Sequence, residues 1–212
     1  MDWPPKGLWN GKDVYVIGGG PSLKDFPLSF LKSVKTIGCN DAYLLGEEVV
    51  DVLVFGDKKW WAHHNEKSEF LSFKNPVFTN TPNMKDEQRV IWAPREESGY
   101  FKEALGWNGN TGSVAINLAL ILGASKIYLI GFDMSLSDKG ESNWHTNLLD
   151  TPSKVHYKRY KDALQRADGY RKKDWAEVEV INLNPQSNWD LYPKIDWQDH
   201  IRSTGWQGPQ ML

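Results

Sequence analysis

The feature that most constrains this chain is a β-branched run at residues 13–17 (DVYVI) that passes straight into Gly18, Gly19, Gly20, Pro21 and Ser22. Five residues, four of them apolar, closed by glycines are strand-sized rather than helix-sized. Glycines permit the tight turn out of the strand, Pro21 fixes the next φ, and Ser22 is a residue type that caps a helix. A strand that turns at once into a helix is the opening of a βα unit, and such units build parallel sheets.

The same pattern recurs. Residues 34–38 (VKTIG) read as a strand ending at Cys39, Asn40 and Asp41, with a short helix through Leu45. Residues 51–55 (DVLVF) read as a strand closed by Gly56 and Asp57, and residues 58–73 as one helix rich in aromatics and His. Residues 76–79 and 90–92 are short strand candidates, and the polar stretch 80–110 is expected to be an irregular insertion or a lid. From Thr111, the spacing of Val114, Leu118, Ile121 and Leu122 predicts a helix ended by Gly123. Residues 126–130 (KIYLI) are a strand ending at Gly131, Phe132 and Asp133. A loop over 134–152, a helix over 153–167 and a strand over 178–181 follow, and the tail after about residue 190 shows little periodicity. Alternating strands and helices imply an α/β fold, a mostly parallel sheet with helices on both faces. No boundary divides residues 1–212, so one domain is expected.

Four strands therefore end in small or polar clusters, and open α/β sheets bind ligands beyond the carboxyl ends of their strands. The turn Gly18, Gly19, Gly20, Pro21 and Ser22 can bring N–H groups and a helix N-terminus to an anion, which suits a nucleotide-type phosphate. It is no Walker loop, and Leu23 occupies the third glycine position of a dinucleotide fingerprint. Asn40, with Asp41 beside it, lies where a ribose or base is held, or caps a helix. Asp57 and Asp133 suit ribose hydroxyls, a metal or a substrate amine, or stabilise Asx turns. Thr111, Gly112 and Ser113 can form a second anion site or an N-cap. His145 and His156 are the candidates for proton transfer. His63 and His64, being adjacent, point apart on a helix and make a poor metal pair. Of the 11 tryptophans, Trp60, Trp61 and Trp144 are candidates to stack on a sugar or base.

Composition removes other classes. A formal net charge of −2 over 212 residues gives no global attraction to nucleic acid or anionic membrane, although the basic residues of 154–173 can form a local basic face or a solvated one. One cysteine, Cys39, excludes an intramolecular disulfide and fits a reducing cytoplasm. No signal-peptide pattern is seen at Met1, and no apolar run approaches the ~20 residues of a membrane span.

Taken in order, Gly18 to Leu23, Cys39-Asn40, Thr111-Gly112-Ser113, residues 127–133 (IYLIGFD) and Asn184-Pro185-Gln186-Ser187 resemble the bacterial lipooligosaccharide sialyltransferases. They also resemble the related flagellin-modifying glycosyltransferase-like proteins and the archaeal 6-hydroxymethylpterin pyrophosphokinases. Gly131 to Met134 followed by Trp144-His145 is similar to bacteriophage-encoded members, so the cytoplasm of an infected host is the implied location. The resemblance implies a Rossmann-like sheet of the glycosyltransferase-A-like kind and transfer of a sugar from a nucleotide donor to an acceptor hydroxyl. Gly18, Gly20, Ser22, Asn40, Thr111, Gly112 and Ser113 would hold the nucleotide. A His after the Gly-x-Asp strand would be the base; His145 and His156 both compete for that place. No metal is implied on this branch. The pyrophosphokinase branch would need ATP and Mg²⁺ on Asp57 and Asp133, and a non-catalytic nucleotide-binding protein is the third alternative. The acceptor is left open among a glycan, a protein and a modified DNA base, as is self-association.

Overall fold

A computed structural model describes residues 3–146, 149 and 154–208. Its centre is a seven-stranded sheet made of β1 (Asp13–Ile17), β2 (Lys35–Cys39), β3 (Val52–Phe55), β4 (Val77–Thr79), β5 (Ile91–Trp92), β8 (Lys126–Ile130) and β9 (Glu179–Asn182). Every pairing is parallel, and the order is β5-β4-β3-β2-β1-β8-β9. The chain thus winds outward from β1 in one direction, returns, and winds from β8 in the other. The reversal falls between β1 and β8, where Ile17 lies beside Ile130. The pair β6 (Arg95–Glu96) and β7 (Leu105–Gly106) forms a separate small sheet.

Period-two alternation divides the core. Val14, Val16, Val52, Val54, Ile127 and Leu129 face one layer, and Tyr15, Ile17, Leu53, Phe55, Tyr128 and Ile130 face the other. On the first face lie α4 (Thr111–Leu122), buried along nearly its whole length, and α5 (Lys154–Asp174), which contributes Leu164 and Ala167. The second face is covered by short pieces: 3₁₀ turns over Pro21–Asp25 and Asn40–Leu45, α1 (Leu28–Leu31), α2 (Lys58–His64), α3 (Ser68–Ser72) and α6 (Trp197–Ser203).

Several expectations need correction. The helix over 58–73 is two helices, because the chain leaves helical geometry near Asn65 and re-enters at Ser68. Gly20 rather than Ser22 stands at the N-cap of the 3₁₀ turn, and the Ser22 side chain bonds elsewhere. The helix expected over 153–167 runs on to Asp174; its expected first residue, Ser153, lies outside the described residues, as do 147, 148 and 150–152 of the loop before it. The tail carries α6, whose apolar side is only His200, Ile201 and flanking tryptophans, too short a stripe to read as periodicity. Residues 80–110 form an insertion fixed by two buried amides. Asn108 bonds to Gly99, Gly106 and Ser113, and Asn117 holds the main chain of Phe101 and Gly106.

Candidate active site

A cleft of about 390 Å³ opens at the carboxyl ends of β1, β2, β3 and β8. It sits at the switch point, where doubly wound sheets bind ligands. The clusters Gly18 to Gly20, Cys39 to Asp41, Asp57 and Gly131 to Asp133 all line it, together with Thr111, Gly112 and His145.

The glycine turn is committed to its own chain. Gly18 N–H donates to Ile130 C=O and Gly20 N–H to Gly131 C=O, while Ser22 N–H and its hydroxyl donate to the Asp133 carboxylate at 3.2 and 2.9 Å. Pro21 has no N–H. Gly19 N–H is the one donor of the turn left over among the described residues. Asn184 adds a third bond to Asp133 at 3.1 Å. Asp133 therefore occupies the place at the 3₁₀ turn where the sequence suggests a ligand anion. Burial pushes its carboxyl above the ordinary range even though these bonds pull the other way. A Cβ on Gly20 would lie 1.8 Å from Asp133 Oδ2, so glycine is required by the carboxylate itself.

The other anion position is more open. Asn110 caps α4 by accepting from Ser113 N–H at 3.0 Å, which leaves the N–H groups of Thr111 and Gly112 at the cleft wall without a partner among the described residues. Gly112 lies against the Phe132 ring, 2.8 Å from where its Cβ would be. Ser113 does not reach the cleft. It is fully buried, and its hydroxyl accepts from Asn108 Nδ2 at 2.8 Å. Arg159 and Tyr160 line the cleft from α5, and Tyr157 there holds a buried hydroxyl without a partner. Burial and the nearby Asp133 charge raise the Tyr157 phenol.

The two histidines separate. His156 is exposed on the first turn of α5 and stands outside the cleft lining. His145 lines the cleft with 13% of its side chain exposed, and its Nδ1 is 3.6 Å from Asp41 Oδ2. Asp41 is buried, accepts from Trp60 Nε1 at 2.6 Å and stands 3.4 Å from His64 Nε2. Burial lowers the proton affinity of His145, and the Asp41 charge opposes that shift. Asn40 sits beside this pair in left-handed backbone (φ 51), with its buried side-chain oxygen unpartnered. Asp57 lines the cleft and caps α2 through Lys59 N–H at 2.8 Å.

The aromatic wall keeps one of the expected tryptophans. Trp60 lines the cleft with its ring held between Phe55 and His64, whereas Trp61, outside the lining, stacks on Phe55 beneath the Arg89 guanidinium. Trp144 meets the edge of His145 from outside the lining. The tryptophan missed in the sequence is Trp107, which lines the cleft and lies against Gly56. Asp41 was visible only as the neighbour of Asn40, since nothing local shows that a histidine 104 residues later (145 − 41) folds onto it. Among the described residues, no three His, Cys, Asp or Glu side chains converge as a metal set would. No helix among them is long and apolar enough to cross a membrane.

No protein-family model matches the sequence, and no curated protein matches it. Solved structures do match in fold. The sialyltransferase CstII from Campylobacter jejuni, solved with cytidine-5'-monophosphate, is 17% identical with a TM-score of 0.58 over 88% of this chain and 85% of that one. The same enzyme with CMP-3FNeuAc gives 15% identity and a TM-score of 0.56 over 87% and 86%. The MAf glycosyltransferase from Magnetospirillum magneticum AMB-1 is 17% identical with a TM-score of 0.63 over 89% of this chain but only 34% of that one. The fold shared with these proteins is the Rossmann-like α/β sheet expected from the sequence.

Proposed function

We propose that the chain is a nucleotide-sugar-dependent glycosyltransferase in which His145 is the general base. The observation that carries this reading is the Asp41–His145 pair across the cleft from the open N-terminus of α4. With Nδ1 turned to the carboxylate, the His145 proton belongs on Nδ1, and the Nε2 lone pair is left for a substrate. The donor phosphate would lie on the N–H groups of Thr111 and Gly112, with Arg159 as the cation and Gly19 N–H as a further donor. Asn40 and Trp107, which line the cleft, would meet the ribose and base. The acceptor oxygen attacks the anomeric carbon as the bond from that carbon to the phosphate oxygen breaks. The nucleotide leaves with the bonding electron pair, and His145 Nε2 takes the hydroxyl proton. Asp41 then faces an imidazolium, whose charge it stabilises.

The fold shared with CstII, solved with a cytidine nucleotide, supports this reading without fixing donor or acceptor. The pyrophosphokinase alternative would need Asp133 as a Mg²⁺ ligand, yet that carboxylate already accepts three hydrogen bonds. A thermal-shift screen of CMP, CDP, UDP, GDP and ATP, with and without Mg²⁺, tests the donor class, since a ligand of the folded state raises its stability. Stabilisation by a pyrimidine nucleotide without metal is expected. ATP acting only with Mg²⁺ would turn the assignment to the pyrophosphokinase. His145→Asn should keep nucleotide binding and lose transfer by roughly 10²-fold or more; unchanged transfer removes His145 as the base.

A further inference from the structure

We propose that His64, with Tyr43 behind it, is a positioning residue for His145: its Nε2–H is aimed at Asp41 and so sets both the place and the proton affinity of the His145 ring. The proposal rests on His145 being the base, but its test below reads the ring directly, without turnover.

The geometry lies one layer behind the cleft. Asp41 Oδ1 receives Trp60 Nε1 at 2.6 Å and faces His64 Nε2 at 3.4 Å, while Oδ2 faces His145 Nδ1 at 3.6 Å. One carboxylate thus stands between two imidazoles. Three buried polar atoms, Asp41 Oδ2, His64 Nε2 and His145 Nδ1, have no hydrogen bond: Oδ2 and His145 Nδ1 face each other, and His64 Nε2 faces Oδ1, which Trp60 already holds. Such gaps close when charge develops, because hydrogen bonds that are long in a resting site tighten in the reacting complex.

The His64 tautomer follows from its other side. Tyr43 OH lies 2.9 Å from His64 Nδ1. Burial and the Asp41 charge hold the Tyr43 phenol far above its ordinary range, so it stays an O–H donor. A protonated phenol can also accept, so the carboxylate decides: the tautomer with the proton on Nε2 aims an N–H at Asp41 and leaves Nδ1 to accept from Tyr43. The opposite tautomer would set a lone pair against Asp41. Trp60 stacks on the His64 ring at 4.5 Å, Phe70 packs on both Trp60 and Tyr43, and the neighbouring charged or titratable groups are Asp41, Tyr43, His63, Lys67 and His145. Burial lowers the His64 ring to about 4, so His64 is neutral near neutral pH.

Removing the His64 N–H takes the positive end of a dipole away from Asp41. The carboxylate then acts more strongly on His145, which holds its proton to higher pH. The test is a ¹H–¹⁵N NMR titration of His145 in the full chain, for wild type, His64→Phe, His64→Gln and Tyr43→Phe. The midpoint for His145 should rise by at least ~0.5 pH unit in His64→Phe, about a threefold gain in proton affinity. It should return toward wild type in His64→Gln, whose amide restores a donor. Tyr43→Phe, which frees the wrong tautomer while keeping shape, should move His145 the same way and serves if His64→Phe does not fold. Identical midpoints in all folded variants would overturn the proposal and leave His64 as packing. In parallel, the acid limb of kcat/KM should follow the NMR midpoint. If no donor is turned over but His145 still moves, the transferase reading fails and the positioning role stands.

Discussion

Gly20 and Asp133 line the cleft and at the same time answer each other's needs. The glycine is needed because a carboxylate packs where its Cβ would be, and the carboxylate ties the turn after β1 to Asn184 beyond β9. Gly20→Ala should therefore cost roughly 1–3 kcal/mol through overpacking, read as a lower urea midpoint. An unchanged midpoint would mean that the Asp133 clamp is not held as described. Asp133→Asn is the complementary case. Its oxygen can still accept from Ser22 N–H and Asn184, and its NH₂ can donate to a rotated Ser22 hydroxyl, so stability should stay within about 1 kcal/mol. Transfer should also persist, because no bare carboxylate charge is needed there. A loss of ~100-fold in a folded Asp133→Asn protein would return Asp133 to the chemistry. The sequence shows both residues at strand ends, but not that they satisfy each other. That fact is written only in the pairing of β1 with β8.

Among the elements, α4 carries the most. Its stripe was legible because it is apolar at nearly every turn and ends at Gly123, which adopts φ 91 as a left-handed cap. Its N-terminus is an anion site only if the first N–H groups stay free, and Thr111 allows that to be isolated. Thr111 is the first helical residue, where proline is well tolerated, and Asn110 before it is already extended (φ −163, ψ 136), as a residue preceding proline should be. Thr111→Ala removes the side chain alone; Thr111→Pro removes the N–H as well. Calorimetric titration with the nucleotide found in the screen should show Thr111→Pro about tenfold weaker than Thr111→Ala, the effect of one charge-assisted bond. Equal affinities would place the phosphate elsewhere. The elements that were less legible are short and held by polar side chains. The break between α2 and α3, the β6–β7 pair and α6 have no stripe long enough for a period to emerge. Asn108 and Asn117, which no periodicity in the sequence singles out, act as buried brackets for residues 80–110.

At the scale of the molecule, the winding of the sheet in two directions from β1 and β8 brings Asp41, His145 and the α4 N-terminus to one edge. Periodicity disclosed that edge, because each strand ends in a visible cluster, but not which side chains meet across it. The same folding buries three histidines: His64 against Asp41, His145 at the cleft, and His200, which bonds Tyr15 at 2.7 Å and so docks α6 on the sheet. Burial lowers the proton affinity of all three, with His64 at about 4 and the neighbouring Asp41 and Asp13 opposing the shift. The sign follows from proton counts. Between the unfolded value near 6.5 and the folded value near 4, the unfolded chain binds more protons than the folded one, so stability falls as pH falls through that window. Carboxyls held low by cations, such as Glu141 with Lys24, add to the loss only further down, below their ordinary value of 4.5. Asp133, held high, runs the other way from its ordinary value of 3.8 upward. His64 alone should account for about 2 kcal/mol of the fall between about pH 7.5 and 5. Urea unfolding at those two pH values tests it. His64→Gln should lose most of that difference while keeping a donor to Asp41. A fall equal to that of wild type would mean that His64 is charged inside the fold beside Asp41.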